Sequence, residues 1–387
     1  MKKFINPVYV LILVCTSLSI MGLTKPKRLQ QKPLSPTETP KIQVAVLLDV
    51  SNSMDGLIEQ AKAQLWNMVS TMGKAQCDGK TPQIQIALFE YGRPDNGIAS
   101  GYVRQISGFT SNLDALSQKL FSLHTNGGDE YCGQVIYTSL NKLTWDAAKS
   151  TYKVIFIAGN EDFLQGNLTY TKACATARDK GVIVNTIYCG DRLQGIREHW
   201  NLNAECGNGS YTNINQDARI DEIPTPYDSM ILTLNKSLNS TYISYGNTGA
   251  SSLAAQGSVD KMNESLSQTV AVKRVTVKGK KELYKNTDWD IVDAANEDKN
   301  FIDKVDIKTL PDSLKRKSRT ELKQLVDRKN NERNAIQQDI SKLAIKRDMY
   351  IQTEKARSSQ KTQAATLETE IEKIIRKQAK QFRMIIP

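Results

Sequence analysis

Asp49, Ser51 and Ser53 follow directly on the apolar run "VAVLL", so a carboxylate and two hydroxyls fall within five positions of "DVSNSMDGL". Such a trio does one of two things. Its oxygens can orient loop amides and cap the next helix, a task that either serine or Asp55 can also perform, or they can stand around a hard cation. An ion such as Mg2+ takes six oxygens in a near-octahedral array and keeps several of its waters. Two hydroxyls and one carboxylate supply part of that shell and leave the ion electrophilic, ready for an acidic side chain from a partner. That is binding chemistry, in which no bond breaks. Little else in the chain suggests catalysis. Its two histidines, His124 and His199, are far apart, no CxxC pair exists, and there is neither a phosphate-binding glycine loop nor a recognisable nucleophile motif. Zinc and enzymatic readings are therefore disfavoured.

Positioning such a trio requires a strand that ends at a rim. "IQVAVLLD" (42–49), "QIQIALFEYG" (83–92), "YKVIFIAGN" (152–160) and "GVIVNTIYCG" (181–190) are apolar on nearly every residue, as strands covered on both faces are. "GSYTNI" (209–214) is a further short strand and "YVRQIS" (102–107) an edge strand. Helical periods lie between them at 55–72, 112–123, 135–143 and 171–180, and 226–243 closes the series. This alternation predicts an α/β fold with a doubly wound, mostly parallel sheet flanked by helices. The first strand then ends where such sheets bind ligands.

Around that core, residues 1–23 read as a signal peptide or membrane anchor: a basic start, then an apolar run, with Cys15 a candidate lipidation site. A proline-rich linker spans 24–41, and the body is expected to be exported to the periplasm or cell envelope. Residues 246–310 form a connecting segment in which 252–268 looks helical, while 273–298 mixes strand with a tryptophan-bearing turn. From 311 to 387 glycine and proline almost vanish. Leu322, Val326, Ile336, Ile340 and Leu343 make one helical seam, and Leu367, Ile371, Ile374 and Ile385 another. Two helices forming a hairpin and one long helix with a weak centre both fit, and the arm is either a coiled coil joining two chains into a homo-oligomer or a solvated helical arm docked on its own domain.

The formal charge of +11 is uneven: residues 1–40 carry six basic and one acidic residue, and 311–387 carry nineteen and ten, leaving the middle mildly acidic. Basic ends around an acidic body suit an anionic membrane surface or an acidic partner. No aromatic-rich basic motif supports nucleic acid. The cysteine count outside the N-terminal run is odd, so at least one thiol is left without an intramolecular partner. Cys132 has Cys174 and Cys189 as candidate partners, with Cys189–Cys206 an alternative. Trp66, Trp145 and Trp200 read as packing residues.

With Asp-x-Ser-x-Ser between an apolar strand and a helix, residues 42–245 resemble the von Willebrand factor type A domains and their metal-ion-dependent adhesion site. The resemblance implies a Mg2+ ion (or Mn2+ or Ca2+) held by three loops, and a non-enzymatic role in engaging an acidic residue of a protein ligand. "TNGGDEYCG" (125–133) occupies the place of the second loop, where Asp129 is the first choice of ligand, Glu130 the second and Thr125 the third. "IFIAGNEDF" (155–163) occupies the third, and Asn160 stands where the family usually has aspartate, with Glu161 and Asp162 beside it. That substitution also fits a structural cell-envelope scaffold with a degenerate metal site, oligomerising through its C-terminal helices.

Overall fold

The computed structural model describes residues 39–217, 222–357 and 366–386, so the N-terminal signal or anchor and most of the linker lie outside the described residues. The chain runs β1 (Lys41–Asp49), α1 (Asp55–Met72), β2 (Gln83–Tyr91), β3 (Arg104–Thr110), α2 (Leu113–Phe121), α3 (Cys132–Lys142) and β4 (Tyr152–Gly159). It continues through α4 (Tyr170–Lys180), β5 (Ile183–Cys189), α5 (Arg192–Arg197), α6 (Trp200–Cys206) and β6 (Tyr211–Ile214). Strand order is β3-β2-β1-β4-β5-β6, parallel throughout except for the antiparallel edge pair β2–β3. This is the expected doubly wound sheet.

β1 shows why two layers of helices are needed. Ile42, Val44 and Leu48 enter one core while Ala45 and Leu47 enter the other, the period-two alternation of a strand buried on both sides. α1 covers the first core with Leu57, Ile58, Leu65 and Val69, and α3, α4 and α6 contribute Val135, Ile136, Ala173 and Trp200 to the second. Register places Asp49 opposite Tyr91, and Leu48 opposite Ala158. The chain leaves β1 towards β2 and later returns to β4 on the other side. The loops following β1 and β4 therefore meet at the point where strand order reverses, the place above the strand ends where such sheets bind ligands.

Beyond the sheet come α7 (Asp228–Asn239), α8 (Gly249–Leu266), α9 (Gln268–Lys278), α10 (Ile291–Glu297) and α11 (Phe301–Lys304). The strand expected after residue 273 does not form. Val270, Val272, Val275 and Val277 are buried in α9, which packs against α1, α7 and α8, and that burial overrides the strand preference of β-branched residues.

The C-terminal region forms two helices, α12 (Arg319–Arg357) and α13 (Leu367–Ala379), and both dock on their own chain. Leu322, Val326 and Ile340 are buried in α12, and Leu367, Ile371, Ile374 and Ile375 in α13, so the seams read as a pairing surface are used internally. Polar contacts fix both helices. Arg333 donates to Asp290 and Asp293 at 2.6 Å and lies 4.0 Å over the Tyr242 ring. Arg347 donates through Nε to Asp228 at 2.8 Å. On α13, the Gln378 side chain accepts from Tyr152 at 2.9 Å and donates to Asn185 at 2.7 Å. Among the described residues no helix is long and apolar enough to cross a membrane.

Candidate metal-binding site

The strand that carries Asp49 leaves its carboxylate fully buried at the rim. Oδ1 accepts the Ser51 backbone N–H at 2.8 Å, whereas Oδ2 has no hydrogen-bond partner among the described residues. Ser51 and Ser53 lie within the turn into α1, their Oγ atoms 3.4 Å apart, and the Ser53 Oγ meets the Asn160 side-chain amide at 3.2 to 3.3 Å. The loops after β1 and β4 thus touch through these polar side chains. Asn160 takes a place beside the serines without adding a negative charge.

From the 125–133 loop it is Glu130, and not Asp129, that turns inward. Glu130 is buried and Asp129 exposed, with the Asp129 carboxylate directed to the Tyr102 phenol. Thr125 also lies off the centre, donating to Asp55 in the first turn of α1. In the third loop Asp162 accepts from the Leu164 N–H and meets His199 Nδ1 at 3.0 Å, so it serves its own turn. Glu161 is exposed and acts on Asp49 through its charge, and its backbone carbonyl is anchored by the Trp200 indole N–H at 2.8 Å. The arrangement brings together Asp49, Ser51, Ser53, Glu130 and Asn160, sets Glu161 at the margin, and leaves Asp129, Thr125 and Asp162 to neighbouring roles.

Two glycines, unremarked in the sequence reading, make this convergence sterically feasible. A Cβ on Gly92, whose φ is +85°, would lie 2.8 Å from Asp49 Oδ1 and 3.1 Å from Glu130 Cγ. One on Gly159 would lie 2.5 Å from the Tyr91 hydroxyl and 2.9 Å from Asp49 Oδ2. Only glycine lets both carboxylates approach so closely, and at Gly92 only glycine adopts the backbone cheaply. A glycine ending a strand beside an acidic loop is the signal that would have found them.

Crowding shows in the protonation of the carboxylates. Burial, chiefly, pushes Asp49 up to about 7, with the Glu161 charge adding and the Ser51 N–H and hydroxyl opposing. Glu130 is pushed up to about 8 by burial first and then by the charges of Asp49 and Glu161. All the converging atoms are oxygens apart from one amide nitrogen, one of them a buried carboxylate oxygen with nothing to bind. This donor set fits a hard divalent cation better than it fits a protein without one. Among the described residues no three His, Cys, Asp or Glu side chains converge as a ready-made cage, so the serine hydroxyls are needed to complete a shell.

Cys132 and Cys189 are free, and burial holds both thiols well above their ordinary range. The pairs expected through either cysteine do not form, because Cys132 faces one core, 3.8 Å from the Tyr91 hydroxyl, and Cys189 faces the other across the sheet. Cys174 is disulfide-bonded. Trp66 and Trp200 are fully buried and Trp145 packs edge-on against Phe109.

The family model described as von Willebrand factor type A domain matches residues 43–206. Solved structures similar to this chain include the mussel byssus proximal thread matrix protein 1 with a zinc-occupied MIDAS motif, at 13% identity and a TM-score of 0.35, covering 45% of this chain and 42% of that one. An aerotolerance-related membrane protein from Bacteroides fragilis shows 17% identity and a TM-score of 0.33, covering 46% and 93%. The pilus adhesin SpaC from Lactobacillus rhamnosus GG shows 13% identity and a TM-score of 0.34, covering 48% and 29%. The present chain spans about two fifths of the length of the mussel protein. No curated protein matches it. Domains of this family are commonly metal-dependent adhesion or protein-interaction modules and are typically not enzymes. With its sheet and an Asp-x-Ser-x-Ser turn at the end of the first strand, the segment from residue 43 to residue 206 is a von Willebrand factor type A domain.

Proposed function

We propose that this protein is a non-enzymatic binding module that holds a divalent cation, Mg2+ before Mn2+ or Ca2+, and uses it to grip an acidic residue of a protein partner. Asp49, Ser51, Ser53, Glu130 and Asn160 would hold the ion, with Glu161 at the margin, and the ion, when bound, supplies an electrophilic position open to a partner's carboxylate. Everything else is done by the chain. Ser51 N–H fixes the rotamer of Asp49, Gly92 and Gly159 clear the space around it, and Trp200 steadies the Glu161 loop. Asn160 in place of an aspartate offsets the extra negative charge brought by Glu130, so the shell remains short of saturating the ion electrostatically. Placement at the cell envelope, and attachment to an anionic membrane through the basic ends, belong to the same proposal.

The observation that carries this reading is the buried, unpartnered Oδ2 of Asp49 beside Gly159 at the end of β4, while Oδ1 lies on the Gly92 side towards Glu130. Titration calorimetry with Mg2+ on the wild type and on Asp49→Ala tests it. Saturable heat from the wild type that vanishes in the variant is expected, and equal heats from the two would remove the basis of the proposal. The oligomeric-scaffold reading has less support, since the seams meant for a second chain are buried within the first.

A further inference from the structure

At the other end of α1, roughly 25 Å along the helix from Ser53, a cavity of about 220 Å³ opens between α1, α9 and α12. Its lining includes Ser70, Lys74, Lys280, Ser341, Arg347 and Asp348. Lys273 adds a fourth cation, so the wall carries four positive side chains against one carboxylate. Three of these cations have acidic partners: Lys273 pairs with Glu368, Lys74 with Asp348 at 3.2 Å, and Arg347 with Asp228. Lys280 has no ion-pair partner within reach among the described residues; Asp348, already paired with Lys74, and Glu282 act on it only at longer range.

Arg347 is the most informative member. It is 5% exposed, and its Nη2 meets no acceptor among the described residues, although its Nε is bonded to Asp228. A buried guanidinium nitrogen without an acceptor is costly, and proteins keep such donors mainly where an acceptor arrives from elsewhere. Arginine's fork suits a tetrahedral or planar oxyanion, lysine supplies a point charge, and serine hydroxyls add neutral donors. Burial and the nearby Lys74 ammonium hold Lys280 below its ordinary range, a strain that a bound anion would relieve. Ile345, 60% exposed on the same wall, gives the mouth an apolar lip, with Met349 exposed one turn further along α12.

We infer that this cavity is a binding site for a phosphate-type oxyanion, held by Arg347 and Lys280 with the hydroxyls of Ser70 and Ser341. It is independent of the metal site and shares only α1 with it. The same chemistry is presented by a free phosphate compound and by an anionic lipid headgroup, and the test separates these sources.

The full chain is titrated with inorganic phosphate at constant ionic strength balanced with chloride, in the presence of chelator, reading both heat and melting temperature. Saturable binding is expected, weakened by about tenfold in Lys280→Gln, which removes one charge-assisted contact. Lys323→Gln, an exposed charge on α12 away from the cavity, serves as the control for net charge and should match the wild type. Melting in chloride alone verifies that each variant is folded. Absence of saturable binding by the wild type, or equal affinity for Lys280→Gln and Lys323→Gln, overturns the proposal. Cosedimentation with phosphatidylcholine vesicles, with and without phosphatidylglycerol, identifies the source. Vesicle binding lost in Lys280→Gln and competed by inorganic phosphate points to the headgroup, while vesicle binding unaffected by a variant that has lost phosphate points to a free compound.

Discussion

Replacing Asp49 by asparagine isolates the electrostatic claim at the metal site. Asparagine keeps the shape and the oxygen that accepts from Ser51, removes the charge, and gives the orphaned position a donor on the side of the Tyr91 hydroxyl. An aspartate raised from about 4 to about 7 is one whose ionised form is disfavoured by roughly 4 kcal/mol on folding, as an upper bound. Because folding raises this pKa, the stability involved is fully present below about pH 4 and is lost as pH rises through about 7; Glu130 extends the loss towards about 8. In chelator the wild type should therefore melt progressively lower from about pH 5 to about pH 8, and Asp49→Asn should flatten much of that slope. At the upper end the variant should melt above the wild type. Even half of the bound, roughly 2 kcal/mol, moves the melting temperature of a chain this long by about 2–3 °C. Added Mg2+ should reverse the order, since the wild type gains by mass action and the variant does not. Scanning calorimetry at two pH values, with chelator and with Mg2+, makes the measurement. A wild type whose melting temperature is level across that range in chelator, or an Asp49→Asn protein that melts lower than wild type there, would refute the reasoning.

Further outcomes follow from the same geometry. Glu130→Gln should weaken Mg2+ binding about tenfold or more, whereas Asp129→Asn should leave it within about threefold, because only the first side chain is buried against Asp49; calorimetric titration of the two variants side by side decides the matter. Gly159→Ala should destabilise the protein by about 1–3 kcal/mol through overpacking against Tyr91 and Asp49, measured by urea unfolding in chelator. Ile375→Ala, at a fully buried position on α13, should cost about 2–5 kcal/mol, with the buried Trp66 fluorescence reporting loss of the sheet core in the same transition. If α13 instead released at low denaturant and left the Trp66 transition unmoved, the helix would be an appendage. Light scattering should give a monomer mass, since the apolar seams of α12 and α13 are occupied within the chain.

Legibility in the sequence followed the range of the interactions concerned. β1, β2, β4 and β5 were visible because each buries both faces, which demands apolar residues at consecutive positions, and α1 because its stripe recurs at helical spacing. Asp49, Ser51 and Ser53 were visible because one turn holds all three. The choice between Asp129 and Glu130 was not, since adjacent residues in a loop point in different directions and only the position of Gly92 selects Glu130. α9 was misread for the opposite reason: its valines carry a local preference for strand, and helices elsewhere in the chain overrule it. The C-terminal seams gave the right helices but not their partner, because a heptad-like apolar row fits another copy of itself as well as it fits a sheet. What settles the partner is polar and specific. Gln378 meets both Tyr152 and Asn185 below the sheet, and Thr212 donates to Glu370 at 2.6 Å. These bonds cannot be satisfied by a second copy of α13. The helix farthest along the sequence is thereby made part of the layer that supports β1, and the rim on which Asp49 sits depends on residues more than three hundred positions away.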